Sequence, residues 1–204
     1  MGRNEQTRKR RAEVIEAALK CFQELGYAKT TMADIRRHSS ASTGSIYHHF
    51  RSKQQLATAV YFEGVKNYQE GLLRVLAAEK QARKGIRSIV GYHLQWVSDH
   101  PTWARYLTEM RHAEFMDGAE SRFKELNAHF AAGITTWVSG HMKAGRLKPV
   151  SRDVFIALLL GPCQEYARQW LAGHAVLEPT AAAAAMAEPI WRSLQGNQRE
   201  ENHD

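Results

Sequence analysis

Apolar residues recur along this chain at three- and four-residue spacing, and no stretch alternates as a half-buried strand would, so the pattern predicts an all-α fold. Val14, Ile15, Ala18, Leu19, Phe22 and Leu25 mark one face of a first helix, which Gly26 is placed to stop. Two short amphipathic helices of about seven residues each follow between Thr30 and Lys53, separated by the turn Ser39-Ser40-Ala41. Thr31 with Asp34 reads as a capping box opening the former, Ser42 as the N-cap of the latter, and Ser52 with Gln55 as a box opening the next helix. Longer helices are then expected over Leu56–Glu79, Ala82–Asp99, Pro101 to about His112, and between Gly118 and Gly145. Ser151 is expected to cap a helix to about Gly173, kinked at Pro162, and the last helix runs from Thr180 to Leu194 with an interruption at Pro189.

The second short helix has two unlike sides. Stepping about 100° per residue places Thr43, Gly44, Tyr47 and His48 on one side and Ile46, His49 and Phe50 on the other. A thin polar face opposite a bulky one suits a helix that anchors on its own domain and enters the major groove of DNA. Charge points the same way. Residues 1 to 53 carry 11 Lys and Arg against 5 Asp and Glu, a net of +6 of the chain's +7. Within that segment Arg8-Lys9-Arg10-Arg11 forms a basic arm, read either as a solvated tail or, preferentially, as a contact to phosphates or the minor groove.

The runs Thr31-Met32-Ala33-Asp34-Ile35, Ser42-Thr43-Gly44-Ser45-Ile46-Tyr47-His48-His49-Phe50 and Ser52-Lys53 with Leu56 resemble the N-terminal DNA-binding domain of the TetR family of transcriptional regulators, over roughly residues 8 to 60. The resemblance implies a three-helix helix-turn-helix domain over residues 1–53 and a larger helical effector-binding and dimerisation domain over 54–204. It implies a homodimer that is most simply a repressor, released from a near-palindromic operator by a small-molecule effector acting through the connecting helix at Leu56–Glu79. The alternative is a constitutive DNA-binding protein, activating or architectural, whose larger domain serves only dimerisation. The DNA-binding set is Arg8, Arg10, Thr31, Ser42, Thr43, Gly44, Ser45, Tyr47, His48 and Lys53, with Thr31 free to cap, to contact a phosphate, or both. The chain departs from the family at the turn, where Ser39-Ser40-Ala41 replaces the usual Ala-Gly-Val and Arg36, Arg37 and His38 precede it. A left-handed residue at Ser40 is therefore expected, with Ser40→Gly stabilising.

Beyond residue 80 the reading is coarser. His93, Trp96, Trp103, Tyr106, Met110, Phe123, Phe130 and Trp137 read mostly as core; a cavity is the alternative, and seven of them, all but Phe123, are the candidate effector contacts. The helix from Ser151 is apolar around much of its circumference and needs cover on more than one side. By the resemblance it joins the last helix in a dimer interface, with Phe155, Leu158, Leu159, Ala182, Met186 and Ile190 as candidates. Enzyme motifs are missing: Glu109-x-x-His112 has the spacing of one half of a di-iron site without its second copy. No metal or cofactor is expected. Cys21 and Cys163 lie too far apart in sequence for a CxxC site and read as small core residues. No apolar run spans a bilayer or follows the charged N-terminus as a signal peptide would, so a cytoplasmic protein without a membrane partner is expected.

Overall fold

The structure is a computed structural model, and it describes residues 2–111, 113, 116 and 118–197. Among the described residues it is all-α, with nine helices: α1 (Arg3–Leu25), α2 (Met32–His38), α3 (Thr43–His49), α4 (Lys53–Ala77), α5 (Ala82–Asp99), α6 (Pro101–Glu109), α7 (Glu120–Lys143), α8 (Arg152–Leu171) and α9 (Pro179–Leu194). His112, one of the two residues of the di-iron-like spacing, lies outside the described residues.

The chain divides into two compact units, Met1–Asn67 with Thr102–Lys124, and Tyr68–Pro101 with Glu125–Asp204. The boundary expected after residue 53 is thus replaced by a later one that falls inside α4, and the first unit also recruits α6. The reason is packing: Trp103 and Leu107 lie against α4 at Gly64, where a Cβ would stand 2.5 Å from the Trp103 ring. Tyr106 enters the same core and donates its hydroxyl to the Ala57 carbonyl at 3.0 Å. Around them Val14, Ile15, Ala18, Leu19 and Phe22 of the face read for α1 are buried with Cys21, Ile35, Ile46, Phe50, Leu56 and Val60, whereas Leu25, read on the same face, is 44% exposed.

Caps explain where the short helices start. Thr31 Oγ1 accepts from the Asp34 amide at 3.2 Å while Asp34 Oδ2 accepts from the Thr31 amide at 2.8 Å, the reciprocal box expected for α2. Ser42 Oγ accepts from the Ser45 amide at 3.2 Å and opens α3. The third box is offset: Ser52 Oγ accepts from the Gln55 amide at 3.1 Å, but Gln55 Oε1 accepts from Arg51 instead, at 2.7 Å.

The turn between α2 and α3 departs from expectation. No non-glycine residue among those described has a positive φ, so Ser40 is not left-handed. Its hydroxyl donates to Glu13 Oε2 at 3.0 Å and accepts from Arg10 Nη1 at 3.2 Å, which ties the turn to α1. Ser40→Gly is accordingly expected to lose these bonds and add backbone freedom to the unfolded chain, for about 1 kcal/mol and a melting temperature lower by several degrees. Differential scanning calorimetry of the variant checks this, and an unchanged or higher transition would show that neither bond contributes.

In the second unit α5 is the central helix, burying Ile86, Ile89, Val90, Leu94 and Val97 among residues of α8 and α9. Its polar ties are Trp137 Nε1 donating to the Glu79 carbonyl at 2.8 Å and Gln69 Nε2 donating to Asn127 Oδ1 at 2.6 Å. Helices α8 and α9 continue through Pro162 and Pro189, so the expected interruption of α9 is absent and each proline only removes one ladder bond. Ser151 occupies the N-cap of α8 without a side-chain cap bond.

Candidate nucleic-acid interface

The polar face of α3 is open. Ser42, Thr43, Gly44, Tyr47 and His48 are exposed and Ser45 is half-buried, whereas Ile46 is buried and Phe50 closes the helix from inside. The two-sided reading of this helix therefore holds in space. Tyr47 is 49% exposed, unusual for a large ring that could fold down onto its own domain. At Gly44 an added Cβ would meet nothing within 4 Å. Among the described residues nothing requires that glycine, which costs a helix up to about 1 kcal/mol relative to alanine. His49 sits on the inner side, where burial, then His48 and Arg11, push its imidazole below the usual value.

The neighbouring cations divide into two groups. Arg10 is bonded to Glu13 and to the Ser40 hydroxyl and carbonyl. Arg11 pairs with Glu63 at 3.4 Å and lies over the Phe50 ring at 5.5 Å, while Arg37 pairs with Asp34. By contrast Arg8, Lys9 and Arg36 are exposed. Arg8 and Lys9 do not belong to a disordered tail, because α1 begins at Arg3 and carries them on a helix. Of the basic arm, then, Arg8 is open toward solvent and Arg10 is committed to the turn. Lys53 Nζ donates to the Tyr27 and Ala28 carbonyls at 2.8 and 3.1 Å and stands 4.6 Å from the Tyr27 ring centre, leaving one of its three N–H groups for a phosphate.

Asp34 organises α2. Hydrogen bonds from the Thr31 hydroxyl and amide, then from Arg37, hold its carboxyl down at about 2 from an ordinary 3.8. Because the folded value lies below the unfolded one, the cap's contribution is complete above about pH 4 and is lost as the pH falls toward 2. A melting-temperature series from pH 5 to pH 2 is expected to fall more steeply for the native chain than for Asp34→Asn, whose curve starts lower; parallel curves would remove Asp34 from the acid response.

The candidates further along the chain do not form one group. Trp103, Tyr106 and Met110 belong to the first unit and pack against its core, Tyr106 with its hydroxyl already satisfied, so these three are corrected to structural roles. His93, Trp96, Phe130 and Trp137 belong to the second unit, with His93 and Trp96 buried and Phe130 and Trp137 half-buried. Among the proposed dimer residues Phe155, Leu159, Ala182 and Ile190 are buried within the subunit, Leu158 is exposed and Met186 half-buried. Periodicity missed Val154, which is exposed on α8 one turn before Leu158, and Ile156, which is exposed on another side of the helix. Cys21 and Cys163 are both buried, and desolvation raises both thiols, Cys163 to about 11. Among the described residues no helix is long and apolar enough to cross a membrane.

A capped two-helix motif with an open polar face, seated on a buried core and flanked by exposed cations, has the form of a helix-turn-helix. Residues 14–60 match the N-terminal domain model of the bacterial regulatory proteins of the tetR family. The regulator TtgR of Pseudomonas putida is 41% identical over 56 residues, 28% of this chain and 27% of TtgR, so the chain matches about a quarter of that relative's length. The fold likeness extends further. A TetR family transcription regulator from Marinobacter aquaeolei VT8 superposes with a TM-score of 0.78 at 17% identity, covering 95% of this chain and all of that one. A transcriptional regulator FadR from Bacillus subtilis, solved in complex with stearoyl-CoA, gives a TM-score of 0.74 at 15% identity over 88% of this chain and 96% of its own. At such identities the likeness concerns the fold alone.

Proposed function

We propose that the protein is a homodimeric repressor that grips a near-palindromic operator with two copies of α3 and leaves it when a small molecule binds the second unit. The observation that carries the reading is the open face of α3, where Thr43, Gly44, Tyr47 and His48 project with no partner element above them while Ile46 and Phe50 fix the helix from below. Arg8, Lys9 and Arg36 supply cations at its flank, Ser42 and Thr31 anchor the helix starts, and Lys53 offers its remaining N–H to a phosphate. Self-association is supported by α8, whose buried residues Phe155, Leu159, Cys163 and Ala167 form a narrow stripe at four-residue spacing and leave Val154, Ile156 and Leu158 in water. The effector part of the reading comes from the family and from a fold neighbour that carries an acyl-CoA.

The test is fluorescence anisotropy of the purified protein on genomic fragments flanking its own gene, at several salt concentrations. Tight binding to one fragment as a dimer, with log Kd rising steadily with log salt, is expected. Equal, weak binding to every fragment would favour a non-specific architectural protein.

A further inference from the structure

Within the second unit a buried polar contact is left half finished. Tyr68, at the start of the unit in α4, and His93 of α5 share a hydrogen bond of 2.8 Å between Oη and Nδ1, with their rings perpendicular and 5.6 Å apart. Trp96 stands edge-on to Tyr68 at 5.2 Å, and the Tyr92 ring lies tilted to it at 5.7 Å. The other ring nitrogen of His93, Nε2, is a buried side-chain nitrogen without a hydrogen-bond partner among the described residues. His93 as a whole is 8% exposed.

The tautomer follows from the contact. Burial drives the Tyr68 phenol far above its ordinary value and the His93 imidazole down to about 4, so both are neutral at physiological pH. A neutral phenol always carries its hydrogen, and among the described residues Tyr68 Oη has only Nδ1 to donate to. Nδ1 is therefore the acceptor, and the ring's own hydrogen sits on Nε2. What remains is a buried N–H donor on the ring nitrogen that Tyr68 does not engage, on a helix whose Ile89, Val90, Leu94 and Val97 are also buried. An unpaired buried donor destabilises the fold that contains it, and it persists where another state of the molecule satisfies it.

We infer that His93 Nε2–H is the recognition donor for an uncharged, largely apolar effector that presents a carbonyl or ether oxygen. Tyr68 is the positioning residue: by engaging Nδ1 it holds the hydrogen on Nε2. This inference rests on the effector reading above. A cationic ligand finds no acceptor at this nitrogen, and a carboxylate loses its hydration to a single neutral donor, so a neutral acceptor on an apolar body is the chemistry that fits.

The test uses three nine-carbon probes of one shape, 2-nonanone, nonylammonium and nonanoate, with the full-length protein. 2-Nonanone is expected to raise the melting temperature of the native chain and to shift the His93 Nε2–H resonance downfield in a ¹⁵N-histidine spectrum. The double variant Tyr68→Phe/His93→Phe removes both polar partners together, so it is expected to unfold within a few degrees of the native chain and to bind the ketone at least about tenfold more weakly. Tyr68→Phe alone frees the tautomer and is expected to weaken binding by less than the double variant does. Equal response of the double variant, tighter binding of either charged probe, or no response of the native chain to the ketone would each overturn the inference. The effector reading fails separately: ketone binding through His93 that leaves operator affinity unchanged upholds this site and removes its regulatory role. Operator release that the double variant undergoes as the native chain does upholds regulation and removes this site.

Discussion

Replacing Leu158 with glutamate is expected to turn the protein into a folded monomer that has lost about 100-fold or more of its operator affinity. Leu158 is 36% exposed in the subunit, at the flank of the stripe Phe155, Leu159, Cys163 and Ala167, so the new carboxylate can turn to water without entering the subunit's core. In a dimer the same carboxylate would have to be buried against the apolar surface of Val154 and its counterparts, at several kcal/mol without a partner cation. The affinity falls without any change at the DNA face, because two linked heads bind as one and a single head binds alone. Light scattering after gel filtration reads the mass, circular dichroism reads the fold, and anisotropy reads the affinity. A variant that remains a dimer places the interface elsewhere.

Tyr47→Ala and Lys53→Ala are expected to weaken operator binding in different ways. Tyr47 is 49% exposed on α3, so its removal should cost one to two powers of ten in affinity, with almost no change in melting temperature or in the slope of log Kd against log salt. Lys53 works through charge. Its loss should reduce that slope by about 0.9, the share of one neutralised phosphate. It should also lower the melting temperature, because Tyr27 and Ala28 lose the ammonium that their carbonyls now share. Measuring both variants between about 50 and 200 mM salt separates the two roles. A normal slope for the lysine variant would confine Lys53 to holding α4 against the α1–α2 loop.

Local chemistry in the sequence was enough for the front of the chain. The capping pair Thr31 and Asp34, the N-cap Ser42 and the split of α3 into Ile46 against Tyr47 are short-range facts, decided by residues three or four positions apart. What periodicity does not reveal is which neighbour a helix face meets. Trp103, Tyr106 and Met110 have the spacing of pocket-lining residues, yet Gly64, some forty positions earlier, gives Trp103 its seat and takes all three into the first unit. In α8 the apolar residues run around the helix, so spacing could not distinguish the inward Phe155 and Leu159 from the outward Val154 and Leu158. At Ser40 the family pattern suggested backbone strain; the side chain's bonds to Glu13 and Arg10, 27 and 30 residues away, hold the turn without it.

Those internal bonds to basic side chains alter how the protein should behave toward electrolytes. Arg10, Arg11 and Arg37 are already paired with Glu13, Glu63 and Asp34, so on a double helix they would neutralise fewer phosphates than unpaired cations do. Fewer small ions are then expelled on binding than the surplus of basic residues near the front suggests, and occupancy of the operator should persist through swings in cellular potassium that would dislodge a regulator whose basic groups were all unmatched.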